Sequence, residues 1–143
     1  MTAALPAELR ALIDAGPLTH LTTINADGSA HVNVIWIGLD GDQLISGHMS
    51  HKRIVRNIER DSRVVLSFTA PRQPGVTLNR YAVLHAHATV EPSDHTWDLL
   101  NDLTKIYVSP ETEFPAPNAP GYIARYAIER IGGVGPWASP KPT

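Results

Sequence analysis

The chain contains no cysteine. That excludes disulfides, thiolate nucleophiles, cysteine-ligated zinc and iron–sulfur clusters. No apolar run reaches the roughly 18 residues that a membrane-spanning helix needs. The opening residues, MTAALPAELRAL, carry acid as well as base and lack a secretory pattern. A cytoplasmic protein without a membrane span is the expectation. An excess of either charge is missing too: 12 Lys and Arg face 14 Asp and Glu, a formal net charge of -2. There is no general pull toward nucleic acid or an anionic membrane, so any basic site must be local. A Walker loop and a G-x-S-x-G nucleophile elbow are also absent. The run Gly132-Gly133-Val134-Gly135 leads into Pro136 and Trp137, where a dinucleotide-binding helix would have to start.

At 143 residues, of which 43% are hydrophobic and 18% charged, the chain has the make-up of one globular domain over 1–143. Leu5, Leu9, Leu12 and Ile13 recur at helical spacing, and Gly16-Pro17 ends that helix. A strand is expected from about Leu18 to Asn25, followed by a hairpin turn at Ala26-Asp27-Gly28. The run AHVNVIWIGL reads as one strand, with His31, Asn33, Ile35 and Ile37 on one face and Val32, Val34 and Trp36 on the other. A second turn, Asp40-Gly41-Asp42, feeds the strand QLISGH.

The period then becomes helical from Ser50 to Asp61, with Ser50 the expected N-cap. Strands RVVLSFTA and RYAVLHAHATVE follow, then a helix from Asp94 to Val108 with Trp97, Leu100, Leu103 and Tyr107 on one face. A proline-rich loop, the strand YIARYAIERI and an extended tail over 132–143 complete the chain. The predicted order is helix, three strands, helix, two strands, helix, strand. Consecutive strands joined by tight turns and few helices point to a small antiparallel barrel with helical plugs, not a doubly wound parallel sheet.

The densest chemical feature surrounds the second helix. Lys52, Arg53, Arg56, Arg60 and Arg63 face only Glu59 and Asp61. A solvated helix face explains such a run, and so does an anion site. A helix start presents unpaired N–H groups, and Lys52 and Arg53 add charge-assisted hydrogen bonds. The preceding Ser46-Gly47-His48 is small enough to let backbone approach a ligand, and phosphate is the best-matched anion. No aromatic platform accompanies these residues, so nucleic acid is not the expected partner. His85 and His87 share a strand face, but no carboxylate stands near them at ligand spacing, so metal is not expected. Trp137, near the chain end, reads as an anchor in a groove of its own subunit or of a partner.

Three stretches carry a family resemblance: the hairpin TINADGSAHVNVIW, the step ending RNIERDSRV, and the strand RYAVLHAHATVE. Together they resemble the flavin and deazaflavin (F420) oxidoreductases of the pyridoxamine 5′-phosphate oxidase-like superfamily. The resemblance implies a split β-barrel of mainly β structure. It also implies a homodimer with two cofactor sites at its interface, holding coenzyme F420 or, alternatively, FMN. Asn33, Val34, Ile35 and Trp36 would lie near the ring, and Ser46, Gly47, His48, Ser50, Lys52 and Arg53 would bind phosphate. Arg56 or Arg80 would serve the acidic tail of F420, and Trp137 would complete the site. Ile54 stands where the family often has a basic residue, Ser62 where proline is common, and GGVGPW where true pyridoxamine phosphate oxidases carry a basic substrate pattern. The implied reaction is hydride transfer from reduced F420 to a small conjugated organic substrate, with His48 and Tyr126 as possible proton donors. A non-enzymatic flavin or heme binder on the same barrel, with His85 or His87 as heme ligand, is the rival from another class.

Overall fold

The computed structural model describes residues 3–138. Its elements are α1 (Ala7–Asp14), β1 (Thr19–Ile24), β2 (Ala30–Ile35), β3 (Gly38–Asp40), β4 (Gln43–His48), α2 (Arg53–Arg60), β5 (Arg63–Thr69), β6 (Tyr81–Ser93), α3 (Thr96–Tyr107) and β7 (Gly121–Val134). The seven strands form one sheet in the order β2-β1-β5-β6-β7-β4-β3, and every pairing is antiparallel. No helix among the described residues is long and apolar enough to cross a membrane.

The run AHVNVIWIGL is two strands, not one. β2 and β3 are neighbours in the chain yet occupy opposite edges of the sheet. Seven strands laid flat would separate those edges by about 29 Å, at ~4.8 Å per strand. Three Cα steps, Ile35 to Gly38, reach at most about 11 Å. The sheet must therefore curl until its edges nearly meet. β2 and β3 do not pair, so the barrel stays split.

Tyr107, at the end of α3, fills the split. Its hydroxyl accepts the Ile37 N–H at 3.1 Å and donates to the Pro17 carbonyl at 2.8 Å. Trp36 stacks on its ring, with centroids 5.2 Å apart and planes 16° from parallel. Leu21, Leu44, Leu66, Phe68, Leu84, Tyr126 and Ile128 fill the interior, and α1 contributes Leu9, Leu12 and Ile13 to the same core.

β6 and β7 pair along their whole length, from Tyr81 opposite Val134 to Ser93 opposite Gly121. Residues 132–134, expected in the tail, are therefore strand. Gly133 has φ +103°, and a Cβ there would lie 2.2 Å from the Tyr81 carbonyl oxygen, so only glycine lets the ribbon end this way. Trp137 is buried in its own subunit and donates its indole N–H to that same carbonyl at 2.9 Å. The rest of the expected tail, 139–143, lies outside the described residues.

Ser46, on β4, is fully buried. Its hydroxyl pairs with Tyr126 at 2.7 Å and with the His48 ring at 2.8 Å. Burial lowers the His48 pKa to about 4 and raises that of Tyr126. Desolvation opposes both charged forms.

Two outcomes follow. Tyr107→Phe strands a partly buried N–H and a C=O, so it should cost about 1–3 kcal/mol in a urea titration with the m-value unchanged. His48 is neutral in the native state, whereas the unfolded chain protonates near pH 6.5. Stability should therefore fall as pH drops from about 6.5 to 4, by on the order of 3 kcal/mol at most. Urea midpoints across that range should show the loss, and His48→Gln should flatten it.

Candidate functional site

α2 is anchored by a residue that the helical pattern did not single out. Asn57 is buried and donates its amide to Thr23 Oγ1 and Asn25 Oδ1, each at 3.0 Å. Its Oδ1 accepts from the Arg60 guanidinium at 2.6 Å. These bonds lock the helix to the β1–β2 hairpin and fix which way its arginines face. A groove of about 470 Å³ results, walled by Arg53, Arg56, Asn57 and Arg60 on the helix and by Asn25, Ala26, Asp27 and Ser29 of the turn. The polarity of Asn25-Ala26-Asp27-Gly28-Ser29 reads from sequence only as a turn, and the one signal for Asn57 was a polar residue among Ile54, Val55 and Ile58.

The groove is basic but not uniformly so. The side chains of Arg53 and Arg56 make no hydrogen bond or ion pair to another described residue, and the Arg56 N–H is used only within the helix, on the Lys52 carbonyl at 3.0 Å. Asp27 lies on the opposite wall with its carboxyl pKa lowered, first by the Ser29 hydroxyl and then by the Ser29 backbone N–H. Three guanidinium groups against one carboxylate favour an anion. Phosphate is the kind of anion such a groove suits.

The remaining expected site residues divide. Ser50 does not cap α2: the N-cap is Lys52, without a side-chain cap, and the Ser50 carbonyl instead takes the Lys52 N–H at 2.9 Å. Ser50 and Lys52 are exposed beside the groove. Ser46 is committed to Tyr126 and His48 inside the core. At Gly47 the close approach is to α3, since a Cβ there would lie 3.0 Å from Leu100 Cγ. The small residues of this strand end thus serve packing. Arg80 and Trp137 lie at the Tyr81 end of β6, one full length of β5 away from Arg63 and α2. One copy of the chain does not bring them to the groove. Tyr126, wholly buried, is not a proton donor to a substrate, and the depressed pKa of His48 leaves it without an imidazolium at neutral pH.

On β2, burial alternates as expected. His31, Asn33 and Ile35 are the more covered residues, and Val32 and Val34 are each 55% exposed. Asn33 Oδ1 is the one buried side-chain oxygen or nitrogen among the described residues without a hydrogen-bond partner. Trp36 follows at the strand end, with Phe114 edge-on at 6.5 Å and 76°.

His85 and His87 line a separate pocket of about 310 Å³ with Arg63, Glu129 and Arg130. A β-bulge between His85 and Ala86 shifts the register of β7 there. His87 is held on both ring nitrogens, by Ser62 at 2.8 Å and by Glu129 at 2.6 Å. No group of three or more metal-ligating side chains exists among the described residues.

Solved structures share this architecture. An F420 reductase is 26% identical, with a TM-score of 0.73, over 90% of this chain and 98% of its own. A candidate pyridoxamine 5′-phosphate oxidase from Lactobacillus delbrueckii is 25% identical with a TM-score of 0.61, over 90% of this chain and 93% of its own. An FMN-binding protein from Syntrophomonas wolfei, 14% identical with a TM-score of 0.62 over 88% of this chain and 83% of its own, shows likeness of fold. No curated protein matches in sequence. The family model for pyridoxamine 5′-phosphate oxidase spans residues 5–132, from just before α1 into β7. The split sheet and that match agree, and the chain belongs to the pyridoxamine 5′-phosphate oxidase family.

Proposed function

We propose that this chain is an oxidoreductase that uses reduced coenzyme F420, with FMN as the alternative cofactor, to reduce a small conjugated organic substrate. The observation that carries the reading is the groove in which Arg53, Arg56 and Arg60 stand together. A cofactor with a longer acidic tail uses all three, and the likeness to an F420 reductase points the same way. The cofactor supplies the hydride. The chain's part is to hold the anionic end in the groove and to keep water from the reacting face.

β2 leads from that groove to the aromatic corner. Six residues at ~3.3 Å each make a strand of about 20 Å. On this reading the backbone of Asn33, Val34, Ile35 and Trp36 passes beside the ring system, and Lys52 supplements the groove from the edge of α2.

A homodimer belongs to the same proposal. Across the outer face of the sheet, one row runs Val34, His20, Ser67, Val83 and the next runs Val32, Thr22, Val65, His85. Val32 and Val34 are too exposed to serve one chain's core. Covering such aliphatic surface contributes about 25 cal/mol per Å², which supports a second copy as its occupant. Arg80, remote from the groove of its own chain, then serves the cofactor of the partner, while Trp137 stays in the core of its own subunit.

The test is a parallel titration of purified protein with F420 and with FMN. F420 should bind the more tightly and should weaken with added salt. Arg53→Ala with Arg56→Ala should lower F420 affinity more than tenfold, with the circular dichroism spectrum and urea midpoint unchanged. Unchanged affinity in that double variant removes the groove assignment, and tighter FMN binding moves the protein to the flavin branch.

A further inference from the structure

The chain has three tryptophans, and two of their indole N–H groups are used. Trp97 donates to the Ala116 carbonyl at 2.7 Å, and Trp137 to the Tyr81 carbonyl at 2.9 Å. Trp36 donates to nothing among the described residues, and its indole nitrogen is not among their buried, unpartnered atoms. A large aromatic usually finds a partner for its polar edge when that edge is covered, so this donor is open to a ligand.

The indole is also held still. One face stacks on Tyr107, whose hydroxyl is fixed at both ends by Ile37 and Pro17. Phe114 meets it edge-on, and the Phe114 N–H is held by Asn101 Oδ1 at 2.9 Å. Around this corner the surface is apolar. Leu18 follows Pro17, Ile106 and Val108 flank Tyr107, and these three are 61%, 50% and 58% exposed. The two ends of β2 thus differ in chemistry. The end beside the hairpin turn is cationic, and the end at Trp36 is aromatic with one free donor.

We propose that Trp36 is the residue that reads the hydride acceptor, its indole N–H donating to the carbonyl oxygen of a planar conjugated ketone or quinone. The proposal rests on the reductase reading. When the hydride reaches the conjugated carbon, the carbon–carbon π pair shifts and negative charge develops on that oxygen. A proton from solvent then completes the reduced product, and the cofactor is left oxidised. A donor on a ring held still by Tyr107 and Phe114 stabilises the developing charge with little reorganisation.

The test uses the cofactor-free protein labelled with ¹⁵N. Three indole signals are assigned by replacing each tryptophan with phenylalanine in turn. The Trp36 signal should exchange with solvent faster than the other two. Added 2-methyl-1,4-naphthoquinone should shift it and leave the Trp97 and Trp137 signals in place. In the cofactor-loaded enzyme, Trp36→Phe keeps an aromatic ring over Tyr107 but loses the donor. It should lower kcat/KM for the quinone about five- to tenfold, as loss of one hydrogen bond implies, and should lower it more than it lowers cofactor affinity, since an aromatic ring remains in place. A Trp36 signal that the quinone does not move, or that moves only with F420 or FMN, overturns the assignment. Failure of wild-type protein to bind either cofactor instead removes the reductase reading, because the indole shift is read without one.

Discussion

The hydroxyl of Tyr107 holds together two pieces of chain that the topology forces past each other. Between β2 and β3 the backbone passes from one edge of the sheet to the other in two residues, Trp36 and Ile37. The short hop compels the sheet to curl, and the curl leaves a seam that strand pairing does not close. Tyr107 takes the Ile37 N–H on one side of that seam and gives its proton to Pro17 on the other. Every other feature of the corner is arranged around this bond: the stacked Trp36, the α1–β1 turn and the end of α3.

The same seam separates two kinds of surface. Asn57 locks α2 against the hairpin and gathers arginines at one end of β2. The aromatic stack occupies the other. A reductase of the kind proposed needs two things, an anchor for charge and an apolar place for the acceptor. On that proposal the two ends of one edge strand divide them.

Much of the fold was legible in the sequence because its signals are local. The period of α1 and α2, the Asp-Gly turns and the alternation along β2 and β6 are set by residues within a few positions of one another. The break in AHVNVIWIGL was not legible. Alternation continues through Trp36 and Ile37, each half pairs with its own neighbour in sequence, and only β5, β6 and β7, lying between the two hairpins in the sheet, set the halves on opposite edges. The basic face of α2 was visible from charge alone, whereas its depth depends on Asn57 and on a turn 30 residues upstream. Ser46-Gly47-His48 misled for a definable reason. Small residues suit a backbone that approaches a ligand, and equally one that approaches Leu100 and Tyr126. Position along the chain does not distinguish these uses.

β7 has one further bearing. It lies between β6 and β4, and β4 has only the three-residue β3 on its other side. Until β7 arrives, the first 120 residues form two unconnected ribbons, β2-β1-β5-β6 and β4-β3. Both ribbons then have bare edges, open to pairing with other chains, so the exposure of this protein to misassembly falls in the interval before β7 docks.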